Sequence, residues 1–418
     1  MLTFLPSWSL RQVFLRCALP LAIGVQVAGV ICIEPINMDS HEYIALARGL
    51  CEHQEYSAPR GLSGVDSFTG ESPTRLRQPG YPVFLAFFYW VLGQKVLVVQ
   101  IAQMVLNCLA LWFMLTAADC LLDGKLMPWA AVFAVLYFPW LILSSMILAE
   151  SLFIVLLWSA VLAMAKSVVL DGKRCYLFSG ILMGAAVMVK PIGLPVLLLS
   201  AVPIAVVLGL REGLRSWSLV VTGCLICVVP WAIRNYAALG EITVLPSTSG
   251  YNLWVAARPL GAEWWDSSEE FTWATEDWKR YYIDRRASER FRELAIARLE
   301  VDGAFVVAGR ALLRTFSAWL RFPGTGNRVG WNPSYVSLTA VQLAMVVLAI
   351  LGIIRLRNRR SLFLLLPVVA LTACLPVSKG LTRYLLPGMP GVALLSGHGL
   401  LSMLRLDVRR GEGVGNKP

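Results

Sequence analysis

Five cations in this sequence sit at the ends of long apolar runs: Arg75 and Arg77 ahead of Pro79, Lys190 ahead of Pro191, Arg234 after Trp231, and Arg383 ahead of Tyr384. One such residue alone reads as a side chain snorkelling from a helix end. Cations far apart in sequence that recur at one depth read as a place for an anion, because guanidinium and ammonium groups pair with phosphate or carboxylate. Carboxylates converge on the same ends. Asp39 follows the first apolar run within Asn37-Met38-Asp39-Ser40-His41-Glu42-Tyr43, and Glu150 opens a later run in Leu148-Ala149-Glu150-Ser151. A carboxylate at the lip of an apolar bundle is costly and marks function. The competing reading for Asp39 is an N-cap of the short helix after it, and for Glu150 an ion pair with one of the cations. His41 and His53 could join Asp39 or Glu42 around a divalent metal, but their spacing matches no strong ligand motif, so no metal cofactor is indicated.

These residues need elements to hold them, and composition says which. Of 418 residues, 57% are hydrophobic and 15% charged, with a mean hydropathy of +0.65. A soluble domain would carry roughly 25% charged residues. The apolar runs lie at 13–33, 94–121, 127–144, 147–167, 175–190, 192–210, 216–233, 333–354, 361–377 and 385–404. Runs of this length cross a bilayer as helices, and no long β-alternation competes. The expected fold is an all-α polytopic membrane helix bundle with about ten transmembrane helices, or eleven if 303–321 crosses. It forms one transmembrane domain over 1–418, with two long outer segments, 34–93 and 234–332, carrying short amphipathic helices.

Orientation follows from the short loops. With the N-terminus inside, the inner segments hold Arg11 and Arg16; Lys125; Lys166, Lys173 and Arg174; Arg211 and Arg215; Arg355, Arg357, Arg359 and Arg360; and Arg405, Arg409 and Arg410. Every inner segment is basic, both termini are cytoplasmic, and the net charge of +11 is the positive-inside signal and not a sign of nucleic acid. Counting 303–321 as a span would put Arg355–Arg360 outside, so that stretch, with Arg310 and Arg314 inside it, is expected to be interfacial or re-entrant. The nine cysteines form no disulfide framework, and Cys224 and Cys227 read as packing residues. In the second outer segment Trp254, Trp264, Trp265, Trp273, Trp278, Tyr281 and Tyr282 read as an aromatic belt, with a sugar site as the lesser alternative.

Several short motifs, in this order and on this face, resemble the GT-C membrane glycosyltransferases, in particular the branch of protein O-mannosyltransferases and the lipid A aminoarabinose transferase. They are Asp39 with Tyr43 in the first outer loop; Arg77-Gln78-Pro79-Gly80-Tyr81-Pro82; Glu150; Lys190-Pro191; Pro230-Trp231-Ala232-Ile233-Arg234-Asn235; and Arg383-Tyr384-Leu385-Leu386-Pro387. The resemblance runs from about 13 to 404. It departs at Ser40, where many members have a second acid beside the first, and at Lys190, where Arg is common. What the resemblance implies is transfer of a sugar from a polyprenyl-phosphate donor to an acceptor hydroxyl of a glycan, lipid or protein, with inversion, at the periplasmic face of a bacterial inner membrane. Asp39 is then the general base. Lys190, Arg234, Arg383 and Arg77 face the leaving phosphate. Tyr43, Tyr81, Glu150, Asn235 and Tyr384 complete substrate binding, and the helices offer an apolar groove to the prenyl chain. Two alternatives stand beside it: a transporter or flippase, which would place its charges near mid-bilayer, and a ligase using a diphosphate-linked glycan.

Overall fold

The computed structural model describes residues 9–57, 74–121, 127–170, 172–258, 285–320, 333–356, 359–377 and 382–403. Among them every regular element is helical. The helices are α1 Leu10–Cys32, α2 Met38–His53, α3 Gly80–Leu92, α4 Val96–Leu121, α5 Met127–Leu136, α6 Pro139–Ile142, α7 Glu150–Leu170, α8 Lys173–Val189, α9 Gly193–Leu208, α10 Leu210–Leu239, α11 Thr248–Ala257, α12 Arg285–Asp302, α13 Ala304–Leu320, α14 Pro333–Leu356, α15 Leu362–Cys374 and α16 Met389–Met403. Helices α1, α4, α7 and α10 are each long and apolar enough to cross a membrane unbroken. Other apolar runs are helical but interrupted, as at Ser200 between the two pieces of α9. The chain is an all-α membrane bundle. One continuous apolar core threads it from Phe14 to Leu395.

Small residues let the helices touch backbone to backbone. Gly180 and Gly184 lie one turn apart on α8 and face α10, which presents Gly223 in return. A Cβ at Gly180 would collide with the Val220 carbonyl, and one at Gly223 with the Leu177 carbonyl. Association in lipid depends on such close packing, because lipid supplies no hydrophobic drive between helices. Cys224 is buried in this seam, against Gly184, as the packing reading expected.

The direction of the last helices follows from their contacts. The Ser396 hydroxyl donates to the Met345 carbonyl at 2.6 Å, and Gly399 lies against Leu348 and Gly352. Helices α14 and α16 therefore run parallel, while Gly388 and Gly391 meet Val368 and Leu364 of an antiparallel α15. Since Arg383, just after α15, bonds Asp39, α15 climbs toward the Asp39 end of the bundle and α14 starts there. Helix α10 also ends there, where Arg234 reaches the Thr74 carbonyl at 2.8 Å. The stretch between Leu239 and Pro333 thus begins and ends at one face.

Within that stretch α11 and α12 make a small core of their own. Gly250 lets the two backbones touch at Ser288, and Tyr251 and Trp254 pack on Phe291 with ring centroids 5.3 and 5.2 Å apart. Trp254 is 2% exposed, so it is a core residue and not part of an aromatic belt. Trp264, Trp265, Trp273, Trp278, Tyr281 and Tyr282 lie outside the described residues. Arg314 donates to the Ala256 and Arg258 carbonyls, and Arg310 to the Ala257 carbonyl and to Asp302. The two arginines of α13 therefore satisfy the last carbonyls of α11, a favourable place for cations. Phe305, Leu312, Leu313 and Phe316 of α13 are exposed.

Candidate active site

The site is built where apolar helices end, and each ending has a local cause. The first outer helix, α2, is capped by Asn37. Its Oδ1 accepts from the Ser40 amide at 3.0 Å, and Ser40 Oγ accepts from the Asn37 amide at 3.1 Å. Asp39 is therefore not the cap, against that alternative in the sequence. It lies in the first turn with its carboxylate turned to other partners.

Those partners are two arginines from distant segments. Arg77 Nη2 donates to Asp39 Oδ1 at 2.7 Å, and its Nε donates to Glu42 one turn further along α2. Arg383 Nη2 donates to Asp39 Oδ2. The Arg77 guanidinium also lies 5.4 Å from the Tyr43 ring centre, and that of Arg383 5.9 Å from the Tyr384 ring.

Lys190 and Glu150 form the second half. Helix α8 stops at Val189 because Pro191 has no N–H to continue it and pushes Lys190 into extended backbone, φ −145° and ψ 124°. From there Lys190 Nζ donates to Glu150 Oε1 at 2.6 Å and lies 5.9 Å from the Tyr384 ring. Glu150 is 1% exposed. The ion-pair reading of Glu150 holds, and Tyr384 joins the two halves.

The motif around Pro79 owes its shape to contact with α8. Gly80 begins α3 so close to the end of α8 that a Cβ would stand 2.7 Å from the Met188 carbonyl and 2.8 Å from Val189 Cγ2. This approach sets Arg77 and Lys190 on neighbouring segments. Gln78 Nε2 donates to the Val244 carbonyl. Tyr81 is fully buried: its ring meets Tyr43 edge-on at 4.8 Å and its hydroxyl donates to Gln103 Oε1 at 2.6 Å. Tyr81 thus stands behind Tyr43, as its support.

Three amides that the sequence reading passed over complete the support. Gln100, Gln103 and Asn107 project from one face of α4. Gln103 Nε2 donates to the Ser144 and Met146 carbonyls at 3.0 and 2.7 Å, Gln100 Nε2 to the Ser145 carbonyl at 2.6 Å, and Asn107 Nδ2 to the Leu141 carbonyl at 3.2 Å. They satisfy the backbone of α6 and of the non-α-helical stretch between it and Glu150, which an apolar surrounding would otherwise leave wanting. Their spacing of three and four residues inside an apolar run was the available signal.

Arg234 and Asn235 are not brought into this cluster. Arg234 donates to the Thr74 and Tyr56 carbonyls at 2.8 and 3.2 Å and stacks on Trp231, and buried Asn235 donates to the Thr243 carbonyl at 2.8 Å. Arg75 pairs with Glu241 at 2.8 Å. These residues brace the segments that flank Arg77.

Burial raises the pKa of Tyr43 although Arg77 opposes it, and raises that of Tyr384 against Arg383. Both phenols therefore stay protonated, with a proton to donate. Burial pulls Arg383 down, but the Asp39 and Glu150 carboxylates outweigh it and raise its pKa. Of the carboxylates here, the side chain of Asp39 is 22% exposed, against 11% for Glu42 and 2% for Glu150, so Asp39 is the most reachable base.

An apolar groove of about 650 Å³ runs between α1 and α4, lined by Phe14, Leu19, Ile23, Ile101 and Trp112 with Arg11 at one end. It follows the N-terminal part of α1, away from Asp39.

No family model and no curated protein matches the sequence. Solved structures do. The oligosaccharyltransferase of Archaeoglobus fulgidus, tethered by a disulfide to an acceptor peptide with the NVT sequon, aligns with TM-score 0.54 at 12% identity over 96% of this chain and 51% of that one. The oligosaccharyltransferase AglB of the same organism, in complex with an inhibitory peptide and a dolichol-phosphate, gives 0.53 at 13% identity over 96% and 52%. ArnT from Cupriavidus metallidurans, bound to undecaprenyl phosphate, gives 0.44 at 14% identity over 93% and 78%. The chain spans about half the length of the oligosaccharyltransferases it matches. In fold, it resembles the GT-C membrane glycosyltransferases.

Proposed function

We propose that this chain is a glycosyltransferase that moves a sugar from a polyprenyl-phosphate donor to an acceptor hydroxyl, with Asp39 as general base and inversion at the anomeric carbon. The observation that carries the reading is Asp39 held between Arg77 and Arg383 beside the Lys190–Glu150 pair, at one end of the bundle. A reachable carboxylate suits removal of the acceptor proton. Cations next to it suit the charge that grows on a leaving phosphate, an effect commonly worth a few kcal/mol. Lys190, Arg383 and Arg77 are assigned to the phosphate. Arg234, expected with them, is assigned to bracing the segment that carries Arg77. A structure of like fold was obtained with dolichol-phosphate bound, which agrees with a lipid phosphate as donor group. By the positive-inside rule, the Asp39 end faces the periplasm of a bacterial inner membrane and both termini face the cytoplasm.

The test is donor turnover by the purified chain in lipid nanodiscs, with a panel of polyprenyl-phosphate sugars and an envelope extract as acceptor. Wild type is expected to consume one donor and yield a product heavier by one sugar, and Asp39→Asn is expected to yield none. Equal turnover by both removes Asp39 as base. No binding or turnover of any monophosphate donor, with turnover of a diphosphate-linked glycan instead, replaces the transferase by a ligase.

A further inference from the structure

Among the described residues three cations of the site, Arg77, Lys190 and Arg383, stand paired with three carboxylates, Asp39, Glu42 and Glu150. An arriving phosphate must therefore take a cation from a carboxylate. Lys190 belongs to Glu150, which is buried, so that taking its cation away would be costly. Arg77 is gripped by two carboxylates. Arg383 is the most available. Its side chain is 30% exposed, against 18% for Arg77 and 14% for Lys190, and the Asp39 it leaves would keep Arg77.

We propose that Asp39 and the donor's phosphate compete for Arg383, so that Asp39 acts as base once the phosphate has drawn Arg383 away. On the transferase reading, on which this rests, the acceptor oxygen bonds to the anomeric carbon and the bond from that carbon to the phosphate oxygen breaks. The electron pair of the broken bond goes to the phosphate, and the acceptor proton goes to an Asp39 oxygen. The donor is a phosphodiester monoanion and the departing polyprenyl monophosphate becomes a dianion, while Asp39 passes from anion to neutral acid. Net charge in the site is unchanged through the step. Arg383 is the group that passes from one anion to the other, and Glu42 keeps Arg77 in place meanwhile.

Competition has a signature that a merely structural ion pair lacks: removing the carboxylate should tighten binding of the phosphate. The probe is undecaprenyl phosphate, measured against the full chain in nanodiscs of neutral lipid, with undecaprenol as the uncharged control. Asp39→Asn is expected to bind undecaprenyl phosphate about ten- to a hundredfold more tightly than wild type, the worth of one charge-assisted hydrogen bond. Undecaprenol affinity should not move. The gain should vanish when Arg383→Ala is added, closing a double-mutant cycle. Equal or weaker binding by an Asp39→Asn protein that unfolds at the wild-type temperature overturns the competition, as does a gain that survives Arg383→Ala. Should Asp39→Asn not fold, Arg383→Ala alone carries the test. It must lose about tenfold or more in undecaprenyl phosphate affinity with undecaprenol unchanged, and no loss overturns the proposal. If wild type binds the phosphate no better than the alcohol and transfers no sugar, the transferase reading itself falls. Binding and transfer by wild type without the Asp39→Asn gain sink the competition alone.

Discussion

Arg77 is held by two carboxylates of one helix: Nη2 donates to Asp39 at 2.7 Å while Nε donates to Glu42 on the next turn. The pairing divides one guanidinium between a residue assigned to chemistry and one that is not. Glu42→Gln would give Arg77 wholly to Asp39 and make that carboxylate a poorer base. We expect kcat to fall about tenfold, the size of one charge-assisted hydrogen bond. Single-turnover kinetics on a donor identified in the panel decide it, and an unchanged kcat would make Glu42 a bystander.

The Glu150–Lys190 pair should behave as a buried ion pair. Lys190→Met leaves Glu150, 1% exposed, without its cation. The expected loss is about 3–5 kcal/mol, seen as a lower thermal midpoint in detergent. Adding Glu150→Leu to Lys190→Met should restore most of the stability, because a hydrophobic pair of similar volume is often as good as the charges it replaces. Activity should remain lost. Recovery of both would mean that the pair holds the fold and does nothing for the substrate.

Gly80→Ala tests whether the contact of α3 with α8 sets the site. The added methyl meets the Met188 carbonyl and Val189 Cγ2, and backbone cannot step aside as a flexible side chain can. Overpacking of this kind costs about 1–3 kcal/mol. Because Arg77 and Lys190 flank the contact, we expect transfer to fall further than the change in thermal midpoint accounts for. A variant with wild-type activity would show that the two segments keep their places independently.

Arg314→Met removes the donor to the Ala256 and Arg258 carbonyls. Each buried carbonyl left without a donor costs about 1–3 kcal/mol. Hydrogen exchange should rise in Thr248–Ala257 while exchange in Glu150–Leu170 is unchanged. Equal exchange in both would mean that the end of α11 does not depend on α13.

The sequence made the charged half of the site readable because a charge at the end of an apolar run has few ordinary reasons to be there. Asp39, Arg77, Glu150, Lys190 and Arg383 all surfaced that way, and the structure joins them. Tyr43 and Tyr384 came with them as motif neighbours. The direction of a side chain was not readable. Arg234 and Asn235 belong to a motif as polar as the others, but α10 turns them toward the Thr74, Tyr56 and Thr243 carbonyls. Gln100, Gln103 and Asn107 were passed over for the opposite reason: a neutral amide barely dents a hydropathy profile, yet here Gln100 and Gln103 hold backbone that has left the α-helix and Asn107 holds a carbonyl of α6. Short helices were expected in both outer segments, but only α2 was placed, around Asp39; the positions of α11 and α12 were not read. Asn37 and Ser40 give α2 a readable start, whereas the other two pair through a glycine contact and three rings that only folding brings together.

The bond between Asp39 and Arg383 joins residues 344 positions apart. The Glu150–Lys190 pair, by contrast, closes within 40 positions, across a single helical hairpin. During synthesis the hairpin can settle its own charges as soon as α8 is inserted. Asp39 must wait, sharing Arg77 with Glu42, until 344 further residues have left the ribosome. The site is therefore finished long after its hairpin, and a chain cut short at the end of α15 would reach the membrane with its carboxylate in place and no Arg383 to govern it.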